Sequence, residues 1–216
     1  MEAGDEFYWD ADAQEYVDAN GKPVSDDDLR KWILLLLLLI RDNVDKLTER
    51  LTAGTLTLEE WAAAIEQELA HLHTALAIVA NGGLAQMDGG KWERLATRLD
   101  FEITKFRNFV LQIEEGTLSA AQIRARIRLY VNAGWKTFAN TVREREIEAG
   151  INDEERRVLG GSNHCAVCPE IAGVWAPIGT LLPLGDTPCN VNCLCHFEFR
   201  NTASGEQDVD LGIAAD

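Results

Sequence analysis

The sequence predicts a mainly α protein: a bundle of long helices with an N-terminal β-hairpin arm and a small C-terminal cysteine-rich α+β module. Three observations carry that reading. Apolar residues recur every three or four positions through most of residues 29–150, the spacing of one face of an α-helix. An Asn-Gly pair, the strongest short hairpin signal, stands near the start of the chain. All five cysteines of the 216 residues fall within positions 165–195. The chain accordingly divides into an arm and linker (1–28), a four-helix region (29–150), the cysteine module (151–200) and an acidic tail (201–216), which reads as disordered.

In the arm, "EYVDANGKPV" puts Asn20-Gly21 at the tip of a hairpin. The "SDDD" that follows is a helix start. Ser25 or Asp26 caps the unpaired N–H groups, and the carboxylates face the positive end of the helix dipole. From there Leu29, Ile33, Leu36, Ile40, Val44, Leu47 and Leu51 make one stripe. The apolar run from Trp32 to Ile40 is far shorter than the ~20 residues that span a bilayer, and it reads as a buried helix.

Gly54 suits the left-handed position after a helix, and Thr57-x-x-Glu60 is a capping box for the next one. The second helix carries Leu58, Trp61, Ile65, Leu69, Leu72, Leu76 and Val79, and stops at Asn81-Gly82-Gly83. The third carries Trp92, Leu95, Leu99, Ile103, Phe106, Val110 and Ile113. Gly116 and the capping box Ser119-x-x-Gln122 then repeat the first helix-to-helix turn. A fourth helix, with Ile123, Ile127, Tyr130, Phe138 and Val142, ends near Gly150, and Gly134 within it is expected to admit a close helix neighbour. Two matching turns predict two similar αα-hairpins, closed as a four-helix bundle or extended as a stalk. His71 and His73 are two residues apart and point to different sides of their helix, so they cannot chelate one ion together. They read as surface or partly buried side chains.

Acidic residues outnumber basic ones 36 to 20, for a formal charge of −16. That balance argues against general nucleic-acid binding and against docking on anionic lipid, and no direct sequence-specific nucleic-acid binding is expected. The basic residues crowd together as Arg124, Arg126, Arg128, Lys136, Arg143, Arg145, Arg156 and Arg157, a run that reads as solvated helix surface or a local basic face. The start, "MEAGDEFYWD", lacks the basic and apolar regions of a signal peptide. The expected setting is therefore intracellular, where cysteine clusters more often bind metal than form disulfides. There is no phosphate-binding glycine loop, nucleophile elbow or His-Glu-x-x-His, and no enzymatic activity is expected.

In the last module "NDEERRVL" reads as a short helix, and "GVWAPI" and "HFEFR" as strands. Cys165-x-x-Cys168 is a knuckle that presents two thiolates to one tetrahedral ion. A second group, Cys189, Cys193 and Cys195, arrives at a distance that completes a four-sulfur structural Zn2+ site. Four of these five would bind; spacing does not choose among them, and His164 or His196 are further candidates. The Pro-rich loop between has too few apolar residues for a core of its own, so a metal staple would explain its folding. A redox Cys-x-x-Cys belongs in a βαβ setting, absent here, and an odd cysteine count leaves one thiol over in any disulfide scheme. A catalytic zinc would need a base, for which Glu170 and His164 are the near residues.

The ending "HCAVCPEIAGVWAPIG…PCNVNCLCHFEF" resembles the C-terminal motif of tailed-phage minor head proteins, the head morphogenesis family typified by Mu-like phages. That motif is Cys-x-x-Cys, a loop glycine, then Pro-x-His-x-x-Cys-x-Cys. Cys165 and Cys168 match its first pair, Gly173 the glycine, Pro188 the proline, and Cys193 and Cys195 the terminal pair. Cys189 replaces the histidine, with one extra residue before Cys193, which implies a ligand changed from nitrogen to sulfur. Leu194 stands where the family carries a basic residue. Residues 120–200 carry the match, and before them only the layout of long helices agrees.

The resemblance implies a non-enzymatic virion component, made in the host cytoplasm and present in few copies near the portal, needed for head assembly or DNA packaging. Its partners would be portal or capsid proteins, with no membrane involved and an oligomer on the portal allowed. The alternatives are a non-viral zinc-ribbon-like interaction module and a metal-dependent hydrolase using His164 and Glu170.

Overall fold

Four long helices form the body of the protein: α1 (Asp26–Thr52), α2 (Leu58–Ala80), α3 (Gly89–Glu114) and α4 (Ala120–Ala149). The computed structural model describes residues 7–13, 15–160 and 164–203, and the mainly α fold is the expected one. Most of the acidic tail lies outside the described residues.

The caps form as their sequences dictate. Ser25 accepts a hydrogen bond from the Asp28 N–H, and complete capping boxes form at Thr57/Glu60 and Ser119/Gln122. The two αα-turns share one geometry. Gly54 and Gly116 take φ of 70° and 68°, and the hydroxyls of Thr55 and Thr117 each donate to a carbonyl five residues back at 3.1 Å. Repeated local chemistry thus makes two αα-hairpins.

The hairpins interlock along α2 and α4. Gly134 is why they approach so closely: a Cβ there would stand 3.0 Å from the Leu72 and Leu76 side chains. Helices α1 and α3 each pack against both α2 and α4, flanking that central pair. Trp61, Phe106 and Phe109 meet in the core with ring centroids 5.6–6.4 Å apart.

Three expectations for the helices need correction. Trp92 is exposed, while Phe109, off the predicted stripe, is fully buried. The Trp32–Ile40 run is not a buried helix. Leu29, Ile33, Ile40 and Val44 face the core, but Leu34, Leu35, Leu38 and Leu39 face outward, because a flanking helix with neighbours on one side cannot bury its whole circumference. His73 is buried rather than superficial, its Nδ1 2.7 Å from the Thr137 hydroxyl.

The arm is a three-stranded antiparallel sheet of β1 (Phe7–Asp10), β2 (Glu15–Asp18) and β3 (Pro23–Val24), with Asn20-Gly21 in the predicted turn. It folds back on the bundle. The Trp9 N–H donates to the Gly82 carbonyl, and Arg145 of α4 lies 3.7 Å over the Trp9 ring while donating to the Tyr16 hydroxyl at 2.8 Å.

The C-terminal module holds β4 (Glu154–Val158), α5 (Val167–Ile171), β5 (Ala176–Pro177) and β6 (His196–Arg200), in the antiparallel order β5-β4-β6. "HFEFR" is the expected strand, and "GVWAPI" supplies only the two residues of β5. "NDEERRVL", expected as a helix, is instead the central strand. Glu155 and Arg157 alternate inward and are completely buried, so pairing with β6 overrides the helix preference of a charged run.

The basic cluster forms no free cationic face. Arg124, Arg128, Lys136, Arg143, Arg145 and Arg156 pair with Glu49, Asp45, Glu102, Glu155, Glu146 and Glu198. Arg126 donates to Gln112, and Arg157 is buried in the cysteine module. Among the described residues no helix is long and apolar enough to cross a membrane.

Candidate metal centre

Helix α4 is the platform on which the cysteine module sits. Trp135 donates its indole N–H to the Cys195 carbonyl at 2.9 Å. Asn140 exchanges two 2.9 Å hydrogen bonds with the backbone of Leu184. Arg143 reaches both Glu155 and the Leu181 carbonyl. Asn140 and Arg143 thus pin the loop between the two cysteine groups, and Trp135 pins the second group itself. Gly160 permits one more close approach, since a Cβ there would overlap the Leu194 carbonyl oxygen. Chain segments from both ends of the module therefore cross beside the thiols.

The five sulfurs converge. Cys165 and Cys168 lie 3.5 Å apart; Cys168 is 3.5 Å from Cys189 and 3.9 Å from Cys193. All five are free thiols. Cys165, Cys168 and Cys189 form one group with sulfurs mutually within 4.8 Å, and Cys168, Cys193 and Cys195 form another. A tetrahedral thiolate shell with metal–sulfur bonds of about 2.3 Å has sulfur–sulfur edges of about 3.8 Å. The observed separations fit such a shell, and Cys168 belongs to it under either grouping.

Charge leads to the same chemistry. Burial pushes the Cys168 thiol up to about 12. Cys193 is also raised, first by its hydrogen bond to Cys195 and then by burial. Desolvation pushes Cys165 up, but hydrogen bonds from Cys168 and Cys189 outweigh it and hold the thiol at about 6. Cys195 is lowered by the Cys193 thiol against the cost of burial. Crowded sulfurs thus ionise unequally, and several thiolates coexist here only when a cation compensates them.

Part of that compensation is built in. Arg157 is fully buried, its Nη1 3.9 Å from both Cys168 and Cys193 Sγ, and its Nη2 donates to the Leu182 carbonyl. The Thr187 hydroxyl lies 3.1 Å from Cys189 Sγ and 3.7 Å from Cys168 Sγ. The sequence marks Arg157 only as a member of the basic run and does not mark Thr187 at all. The signal for Arg157 was the two-residue alternation in "EERRV", masked because the inward side chains are charged.

The other candidates stand apart. His164 is half-buried and Glu170 exposed; among the described residues neither joins a thiol group. His196 is buried with Nε2 3.9 Å from Glu198, and it too is outside both groups.

Fold and site together define a mainly α protein with a small cysteine knob that can hold a metal ion. The chain matches no protein-family profile, no curated protein and no solved structure.

Proposed function

We propose that this chain is a structural minor head protein of a tailed phage, acting in head morphogenesis and DNA packaging near the portal. In this reading one structural Zn2+ staples its C-terminal knob. The observation that carries it is the meeting of both halves of the family-like motif, with Cys165 and Cys168 brought to Cys189, Cys193 and Cys195 at zinc-site spacing. The matched loop glycine also has a physical role. Gly173 takes φ of 78°, and its N–H donates to the Arg157 carbonyl at 2.8 Å, tying the loop beneath the knuckle. All-sulfur ligation by a d10 ion gives rigidity rather than reactivity, which suits a docking knob. Long helices give reach, and the knob offers a fixed surface to portal or capsid subunits.

A non-viral zinc-ribbon-like module would share this physics with a different partner. For the hydrolase reading, neither His164 nor Glu170 joins a thiol group among the described residues, and no observation favours it. Elemental mass spectrometry of the chain purified without added zinc or chelator tests the staple, with about one zinc per chain expected. Co-sedimentation with assembled phage heads or portal rings tests the role. Zinc without co-sedimentation would leave the interaction module and overturn the head protein; no metal would overturn the staple.

A further inference from the structure

The outward face of α1 is apolar in the middle and charged toward both ends. Leu34, Leu35, Leu38 and Leu39 are 44, 65, 59 and 53% exposed, although the opposite face of the same helix is buried in the core. Their three- and four-residue spacing makes one contiguous patch. Exposed apolar patches of this kind, rimmed by polar residues, mark interaction sites. Asp27 and Lys31 precede the leucines, Asp42 and Lys46 follow them, and all four are exposed on that side of the helix.

The order of these residues identifies the partner. Reversing the helix about the Leu36–Leu37 peptide exchanges Leu34 with Leu39 and Leu35 with Leu38. It also exchanges Lys31 with Asp42 and Asp27 with Lys46. The face is therefore complementary to itself turned end for end. The one like-charged match, Asp28 with Asp45, is relieved within each chain: Asp28 accepts from the Ser25 hydroxyl, and Asp45 is gripped by Arg128.

We propose that a second copy of this chain covers this face, through a two-fold antiparallel crossing of α1 on α1. A self-complementary patch is the signature of an isologous dimer, and antiparallel helices oppose their dipoles favourably. The in-chain pairs Lys31–Asp28 and Lys46–Asp42 are solvent-exposed and weak, so both lysines can turn to the partner. A contact of this extent lies at the small end of specific interfaces, so the dimer is reversible and concentration-dependent. The inference needs neither the metal nor the virion.

The test uses the full zinc-loaded chain. Sedimentation equilibrium gives its oligomeric state. A carbodiimide, which joins Lys to Asp without a spacer, is applied to an equal mixture of 14N and 15N chains. Lys31 and Asp42 are separated by about 16 Å along one helix and cannot be joined within it. A dimer yielding mixed-label Lys31–Asp42 peptides is the expected result. Leu35→Glu with Leu38→Glu, at exposed positions that leave the helical circular dichroism unchanged, should weaken the dimer by about ten-fold or more. A monomer up to the solubility limit would overturn the proposal, as would a dimer indifferent to the leucine changes or one lacking the Lys31–Asp42 product. Dimerisation seen only after deletion of residues 204–216 would overturn it too, by showing that the chain's own tail covers the face.

Discussion

Arg143 of α4 and Glu155 of β4 form a two-pronged ion pair, with N–O distances of 2.6 and 2.7 Å, sealed between the helical bundle and the cysteine knob. Each partner is further satisfied, because Arg143 also donates to the Leu181 carbonyl and Glu155 also accepts from the Leu181 N–H at 2.9 Å. The Arg143 guanidinium lies 4.8 Å over the Phe197 ring as well. A buried pair of this kind orients two parts more than it stabilises them, but removing one member strands a charge. Arg143→Met is expected to cost about 3–5 kcal/mol in urea denaturation, and Arg143→Met with Glu155→Leu to recover most of it.

Metal removal should divide the molecule along the same boundary. The helices have a packed core of their own, centred on Trp61, Phe106 and Phe109, whereas the loop around the thiols is held by α4 and by the cysteines. Chelation is expected to open residues 160–195 to limited proteolysis while the far-ultraviolet circular dichroism of the helices persists. Cys168→Ser, which removes the sulfur common to both groups, should reproduce that cleavage and abolish metal binding. Cys195→Ser leaves four converging thiols and is expected to keep one metal per chain by elemental mass spectrometry.

Turns and caps were legible because they are local: Thr57 with Glu60, Ser119 with Gln122, and Gly54 and Gly116 in left-handed geometry depend on a few adjacent residues. The gathering of the five thiols is legible because a Cys-x-x-Cys and a later cysteine group within thirty-one residues can reach one point. Strand β4 was not, since its buried residues are Glu155 and Arg157, whose inward alternation makes sense only once Arg143 and the sulfurs are in place. The open side of α1 was hidden for a related reason. Periodicity tells which positions share a face, not how many neighbours the helix will have. Trp92 is a similar case, fitting the stripe of α3 by spacing yet remaining exposed.

His73 makes the bundle sensitive to mild acid. Burial is the main cause holding its pKa down at about 4; Glu102 pulls it upward, and Lys136 and Arg98 push it further down. The unfolded chain therefore binds a proton as pH falls through about 6.5, while the folded protein resists until about 4. Stability from this group is unaffected above that window and falls as pH drops within it, by roughly 3 kcal/mol in all. Urea midpoints measured from pH 7 to 4 should decline in the parent, and the decline should be shallower in His73→Gln, which cannot titrate.

Gly160 is expected to be the least replaceable glycine of the knob. It lies just after β4, and a methyl group on it would collide with the Leu194 carbonyl, a backbone atom between two candidate ligands that no rotamer change can move aside. The collision also displaces the Gly160 N–H that supports the Cys195 sulfur. Gly160→Ala should therefore separate Cys193 and Cys195 from the knuckle and weaken metal retention. Competition with a chromogenic chelator would show faster metal release than in the parent. Gly173→Ala provides the contrast, since nothing lies within 4 Å of a Cβ there and the substitution meets only the strain of φ at 78°. Its cost should stay near 1–2 kcal/mol and leave metal release close to the parent's. Equal release rates for Gly160→Ala and the parent would mean that the Leu194 segment shifts freely, and that the thiols do not depend on this crossing for their positions.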